Sequence, residues 1–147
     1  MFRGRYEHTM DAKGRTSVPA RYREALQKGG ERYLVVTGAF DACLNVYPFQ
    51  EWLLFEEKLS MLPQFDLAVI RLKRLYVSGA VECEIDESGR ILIPPTLRDH
   101  ARLSKHVLWA GSGKYAELWS KEGWEHQVEV AEAERQKLGI RLAELGL

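Results

Sequence analysis

One short pattern occurs twice in this chain, and any fold has to accommodate both copies. Asp11-Ala12-Lys13-Gly14-Arg15-Thr16-Ser17-Val18-Pro19 returns 75 positions later as Asp86-Glu87-Ser88-Gly89-Arg90-Ile91-Leu92-Ile93-Pro94. Each copy sets an Asp four residues before an Arg, places a Gly between them, and ends a strand-like run at Pro. The likeness runs on: Pro19 to Leu26 aligns with Pro94 to Ala101, Leu34 to Gly38 with Val107 to Gly111, and Cys43 to Tyr47 with Tyr115 to Trp119. Trp52 and Trp124 follow at matching distances. A duplication of this kind builds a pseudo-twofold unit with two similar faces.

Each copy reads as strand, tight turn, strand, short helix, two further strands and a longer helix. Gly14 and Gly89 suit the positive φ of a hairpin connection. A proline opens each short helix, since its missing N–H is not needed in a first turn. Phe49 to Leu59 carries Phe49, Trp52, Leu53 and Phe55 on one broad side and predicts a helix. Leu67 to Val77 predicts another, with Arg71, Lys73 and Arg74 as charges on its outer face. Near the end, Trp124, Val128, Ala131, Leu138, Leu142 and Leu145 form a helical stripe that Gly139 weakens. The stripe can pack within the chain or against another subunit; such stripes usually complete a core, which favours the internal role. The implied organisation is a first repeat at 1–60, a helical connector at 61–79, and a second repeat with a C-terminal helix at 80–147. A single repeat buries both sides of its strands poorly, which favours interlocked halves sharing one core.

Composition excludes several classes. Of 147 residues, 46% are hydrophobic and 29% charged, which fits a globular protein. Apolar runs such as Trp52 to Phe55 are too short for a bilayer span, and the charged start lacks the apolar stretch of a signal peptide. A cytoplasmic location is expected, with no membrane partner. Cys43 and Cys83 match no metal or redox spacing and read as buried reduced thiols. Net charge is zero, yet residues 1–30 hold seven basic against three acidic side chains. A neutral total can therefore conceal one basic face.

The repeated Asp and Arg can work in two ways. The carboxylate can take the Arg side chain or backbone N–H groups of the turn, as a purely structural pair. Alternatively it orients the Arg so that the planar guanidinium grips a phosphate or a guanine edge. Arg3 and Arg5 are either solvated edge-strand charges or an extension of a basic surface towards Lys13 and Arg15. Arg21 and Arg23 are read as surface residues. Enzyme chemistry finds little support. His8, His100, His106 and His126 are scattered, Ser17 lacks triad partners, and neither glycine belongs to a phosphate-cradling loop. No cofactor or metal is expected.

Three segments carry a family resemblance: Met1-Phe2-Arg3-Gly4, Asp11-x-x-Gly14-Arg15-x-Ser17-Val18-Pro19-x-Arg21-Tyr22-Arg23, and Ala80-x-Glu82-Cys83-Glu84-x-Asp86-x-x-Gly89-Arg90-x-Leu92-Ile93-Pro94. They resemble the MraZ family of bacterial transcriptional regulators over almost the whole chain. The resemblance implies a mostly β, AbrB-like swapped-hairpin barrel, duplicated within one chain, pseudo-twofold, with added helices. It also implies a ring-like homo-oligomer that binds double-stranded promoter DNA at short direct repeats. Such regulators are nucleoid-associated and generally repress the division and cell-wall gene cluster. The expected DNA-binding residues are Arg15, Arg3, Lys13, Arg90 and Arg5, with Asp11 and Asp86 orienting the motif. Glu87 and Ser88 stand where Ala12 and Lys13 stand, making the second motif less positive. The alternative is a non-catalytic protein whose paired motifs brace an oligomer.

Overall fold

The computed structural model describes residues 1–147. The first repeat supplies strands β1 (Arg5–Thr9), β2 (Arg15–Ser17), β3 (Tyr33–Gly38) and β4 (Leu44–Pro48), with helices α1 (Ala20–Lys28) and α2 (Phe49–Ser60). Helix α3 (Leu67–Leu72) then runs into a π-helical turn at Lys73–Val77. The second repeat supplies β5 (Val81–Glu84), β6 (Arg90–Leu92), β7 (His106–Gly111) and β8 (Ala116–Ser120), with α4 (Pro95–His100), α5 (Lys121–Ala133) and α6 (Arg135–Glu144). Prolines do open both short helices: Pro19 precedes α1, and Pro94 and Pro95 begin α4.

Strands cross between the repeats. One sheet has the order β1-β7-β8-β4-β3-β5, so β1 joins the second repeat's hairpin and β5 joins the first repeat's. Every pairing in it is antiparallel. Strands β2 and β6 pair with each other as a separate ribbon, with Arg15 opposite Leu92 and Ser17 opposite Arg90. The main core lies where Leu34, Val36, Leu44, Val46, Val107, Trp109 and Leu118 of the large sheet meet Ile91 of the ribbon and Leu26 and Leu97 of the short helices. Full burial of such a side chain contributes roughly 1.5–3 kcal/mol. Tyr22 sits among them, stacked on Phe2 at 4.6 Å and edge-on to Trp109 at 6.1 Å. Its hydroxyl donates to the Gly4 carbonyl at 2.9 Å, which satisfies the one polar atom it brings inside.

The expected mostly β, closed swapped-hairpin barrel is not what forms. The architecture is mixed α/β, with more residues in helices than in strands. Each end strand of the large sheet has one neighbour only, β7 for β1 and β3 for β5, so the sheet stays open. The ribbon strands are three residues long, too short to continue the ladder around the core and close it.

The C-terminal stripe also departs from expectation. Trp124 reaches Trp119 with ring centroids 6.1 Å apart, but beyond it Leu138, Ile140 and Leu145 are exposed. Neither α5 nor α6 has a fully buried residue. The break falls at Glu134 (φ −105°), and Gly139 lies inside α6. Cys43 and Cys83 are both buried and free. No helix is long and apolar enough to cross a membrane.

Candidate nucleic-acid interface

The duplicated pattern folds into two equivalent three-residue hairpin loops. In the first, the Asp11 N–H donates to the Arg15 carbonyl at 3.0 Å and the Gly14 N–H to the Asp11 carbonyl at 3.1 Å. In the second, Asp86 and Arg90 are joined at 2.9 Å, as are Gly89 and Asp86. Gly14 and Gly89 have φ of +94° and +78°, the left-handed position that follows the turn in such loops.

The Asp side chains hold the backbone of their own turns. Asp11 Oδ1 accepts the N–H of Lys13 at 3.0 Å and of Arg15 at 2.9 Å. Asp86 Oδ1 accepts the N–H of Arg90 at 2.9 Å. Both carboxyls are held below the ordinary carboxylate pKa, first by the N–H of the Arg four residues on. Desolvation opposes this, while a second backbone N–H and the Arg15 and Arg90 charges add to it. Both acids are therefore ionised at neutral pH.

Pairing between β2 and β6 brings the two loops together. Directly opposed residues share a face, so Arg15, Leu92, Ser17 and Arg90 point outward while Thr16 and Ile91 are buried. The two arginines are thus diagonal neighbours on one face. Their company differs. Arg90 lies between both carboxylates, its Nε 3.7 Å from Asp86 Oδ2 and its Nη1 3.9 Å from Asp11 Oδ2. Those are ion-pair separations, too long for hydrogen bonds. Arg15 enters no ion pair and no side-chain hydrogen bond, although its charge reaches both acids.

Lys13 is exposed at the tip of the first loop. Arg3 and Arg5 stand apart from this cluster. Arg3 precedes β1, and Arg5 begins it, roughly 13 Å of strand before Thr9 at the loop end. The Arg5 guanidinium lies 5.1 Å from the centre of the Trp124 ring. The backs of the loops went unnoticed in the sequence. The Ile93 N–H donates to the Gly14 carbonyl at 2.8 Å and the Val18 N–H to the Gly89 carbonyl at 2.9 Å, so each repeat anchors the other's loop. The usable signal was the alignment of Val18-Pro19 with Ile93-Pro94, which places equivalent donors in both halves.

No group of three or more His, Cys, Asp and Glu side chains is placed to hold a metal ion. A family model described as MraZ protein, antitoxin-like, matches residues 1–75 and again 76–142, so the two repeats are each a unit of that family. A protein of Thermoanaerobacter sp. is 43% identical over 147 residues, covering all of both chains. One of Heliobacterium modesticaldum is 44% identical over 147 residues, again end to end. One of Caldanaerobacter subterraneus is 48% identical over 125 residues, 85% of each chain. All three are named transcriptional regulators, the class to which a duplicated chain with paired arginine loops is thereby similar. The chain belongs to the MraZ family.

Proposed function

We propose that this chain is a sequence-specific DNA-binding regulator that represses transcription of the division and cell-wall gene cluster from short direct repeats in promoter DNA. The observation that carries the reading is the pair of arginine loops on one outward face, with Arg15 unengaged by either carboxylate. A free guanidinium on a rigid loop can grip phosphate or the O6/N7 edge of guanine without first breaking an ion pair. Arg90 is partly neutralised by Asp11 and Asp86 and acts as the weaker contact. Lys13 adds charge at the tip, and Arg3 and Arg5 supply outlying phosphate contacts. Asp11 and Asp86 orient the loops and stay off the DNA, because carboxylate and phosphate repel.

One chain presents few contacts, so useful affinity comes from several copies engaging successive repeats. Exposed Leu138 and Ile140 on α6 and Leu145 just past its end, with Leu62, Phe65 and Leu67 around the start of α3, favour self-association into a ring-like homo-oligomer. The same apolar surface favours the rival reading, an assembly protein without DNA. Fluorescence anisotropy separates them, using promoter DNA from upstream of the cluster beside scrambled DNA of equal length, across a salt series. Tight binding to the promoter alone, weakening as salt rises, is expected. Equal weak binding to both would overturn the reading in favour of assembly alone.

A further inference from the structure

The two arginine loops are covered from behind by a second pair of arginines, and the covering is crossed. Arg98 belongs to α4 of the second repeat, yet a Cβ placed on Gly14 of the first would stand 2.8 Å from its Nε and 2.9 Å from its Cζ. Arg23 belongs to α1 of the first repeat, and a Cβ on Gly89 of the second would stand 2.7 Å from its Nη1 and 2.8 Å from its Cζ. Each guanidinium therefore lies flat against the left-handed glycine of the opposite loop. A Cβ at Gly14 would also stand 2.7 Å from the Ile93 carbonyl, whereas one at Gly89 would have to displace the Arg23 guanidinium.

Arg23 and Arg98 are equivalent in the repeat, and so are their loops, so the arrangement occurs twice by the fold's own symmetry. Arg23 is held in place by its own repeat, donating from Nε to the Val18 carbonyl at 3.1 Å. Arg98 Nε is buried and has no partner. A buried, unsatisfied donor costs stability, so what this guanidinium gains here is its packing against the Gly14 loop.

We infer that Arg98 and Arg23 are positioning residues for DNA recognition, each setting the loop of the other repeat. This rests on the DNA-binding reading above. Arg98 seats the Gly14 loop from behind, so the Asp11 carboxylate and the Arg15 N–H keep their register and Arg15 projects from the outer face. Arg23 does the same for Arg90. The two recognition loops thus respond to one another's repeats, and a change in α4 is felt at the first loop before the second.

The test uses the full chain with Arg98→Ala and, separately, Arg23→Ala. Hydrogen–deuterium exchange of the unbound protein is read by NMR at the loop amides 13–15 and 88–90, outside the β2–β6 ladder. Arg98→Ala is expected to speed exchange at 13–15 by about threefold or more and to leave 88–90 unchanged. Arg23→Ala is expected to do the reverse. Promoter affinity of Arg98→Ala should fall several-fold while the salt slope stays that of the parent, because no phosphate contact is lost. A fall of about one in that slope would identify Arg98 as a direct phosphate contact and overturn the positioning role. So would exchange that changes in the same-repeat loop, in both loops equally, or in neither. If sheet peptides also exchange faster in the alanine variant, Arg98→Gln, which keeps a planar end group, carries the same comparison. The exchange arm needs no DNA: a crossed pattern without promoter-specific binding would leave the brace standing and remove its DNA role.

Discussion

Arg15 and Arg90 occupy equivalent places in the repeat and differ only in what surrounds them. Arg90 sits between two carboxylates at 3.7 and 3.9 Å, whereas Arg15 has no such partner. Arg15→Ala is expected to weaken promoter binding by about 1–3 kcal/mol without changing the oligomer. Anisotropy and sedimentation velocity on the same preparation check both halves of that statement. The acids make a separate prediction. Their folded pKa values lie below the unfolded ones, so their contribution is present above the ordinary carboxylate range and is lost as pH falls through the depressed values. Carboxyl carbon shifts of Asp11 and Asp86 should therefore move at lower pH in the folded protein than in the urea-unfolded chain. The loops themselves were legible in the sequence, because Asp, Gly and Arg at fixed spacing report on a few consecutive residues. The link from Arg90 to Asp11 was not. It depends on which strands become neighbours, and no local spacing encodes that.

At the scale of elements, the connector between repeats shows the same division. The apolar pattern from Leu67 to Val77 correctly indicates a helix, but its last five residues wind as a π-turn. Side-chain periodicity does not distinguish the two over so short a run. The turn aims Tyr76 into a cluster with Trp52 and Tyr47 behind the large sheet. There the Tyr76 hydroxyl meets Asn45 Nδ2 at 2.8 Å and the Tyr47 hydroxyl at 2.7 Å, and its carbonyl accepts from the buried Thr37 hydroxyl at 2.6 Å. Tyr76→Phe leaves the ring in place and strands both side-chain partners. It should lower stability by about 1–3 kcal/mol, seen as a lower denaturant midpoint with the slope unchanged. The C-terminal stripe is internal only at Trp124, for a related reason. Periodicity shows which side of a helix is apolar, and says nothing of whether another element of the chain lies opposite it.

At the scale of the whole molecule, the exchange of strands makes the halves dependent on each other. Residues 1–75 lack the partners of β1 and β2, which are β7 and β6, and residues 76–147 lack the partner of β5, which is β3. Neither half is expected to melt cooperatively alone, whereas an equimolar mixture should recover native circular dichroism. Cooperative unfolding of either half by itself would contradict the shared core. Interlocking was legible from the duplication, since one repeat cannot bury both faces of its strands. Openness was not, because it is decided by strand length and by which edges find a neighbour.

Those open edges have a consequence for the self-association proposed above. A bare sheet margin invites the next copy to dock strand to strand, and such docking has no natural end point. Here the β1 margin carries exposed Arg5 and Glu7, and the β5 margin carries exposed Glu82 and Glu84. A second β5 brought alongside would meet like charge, and a second β1 would have to strip water from its own ions. Fibre growth along the strand-pairing direction is thereby discouraged, and the proposed self-association is left to the exposed helices.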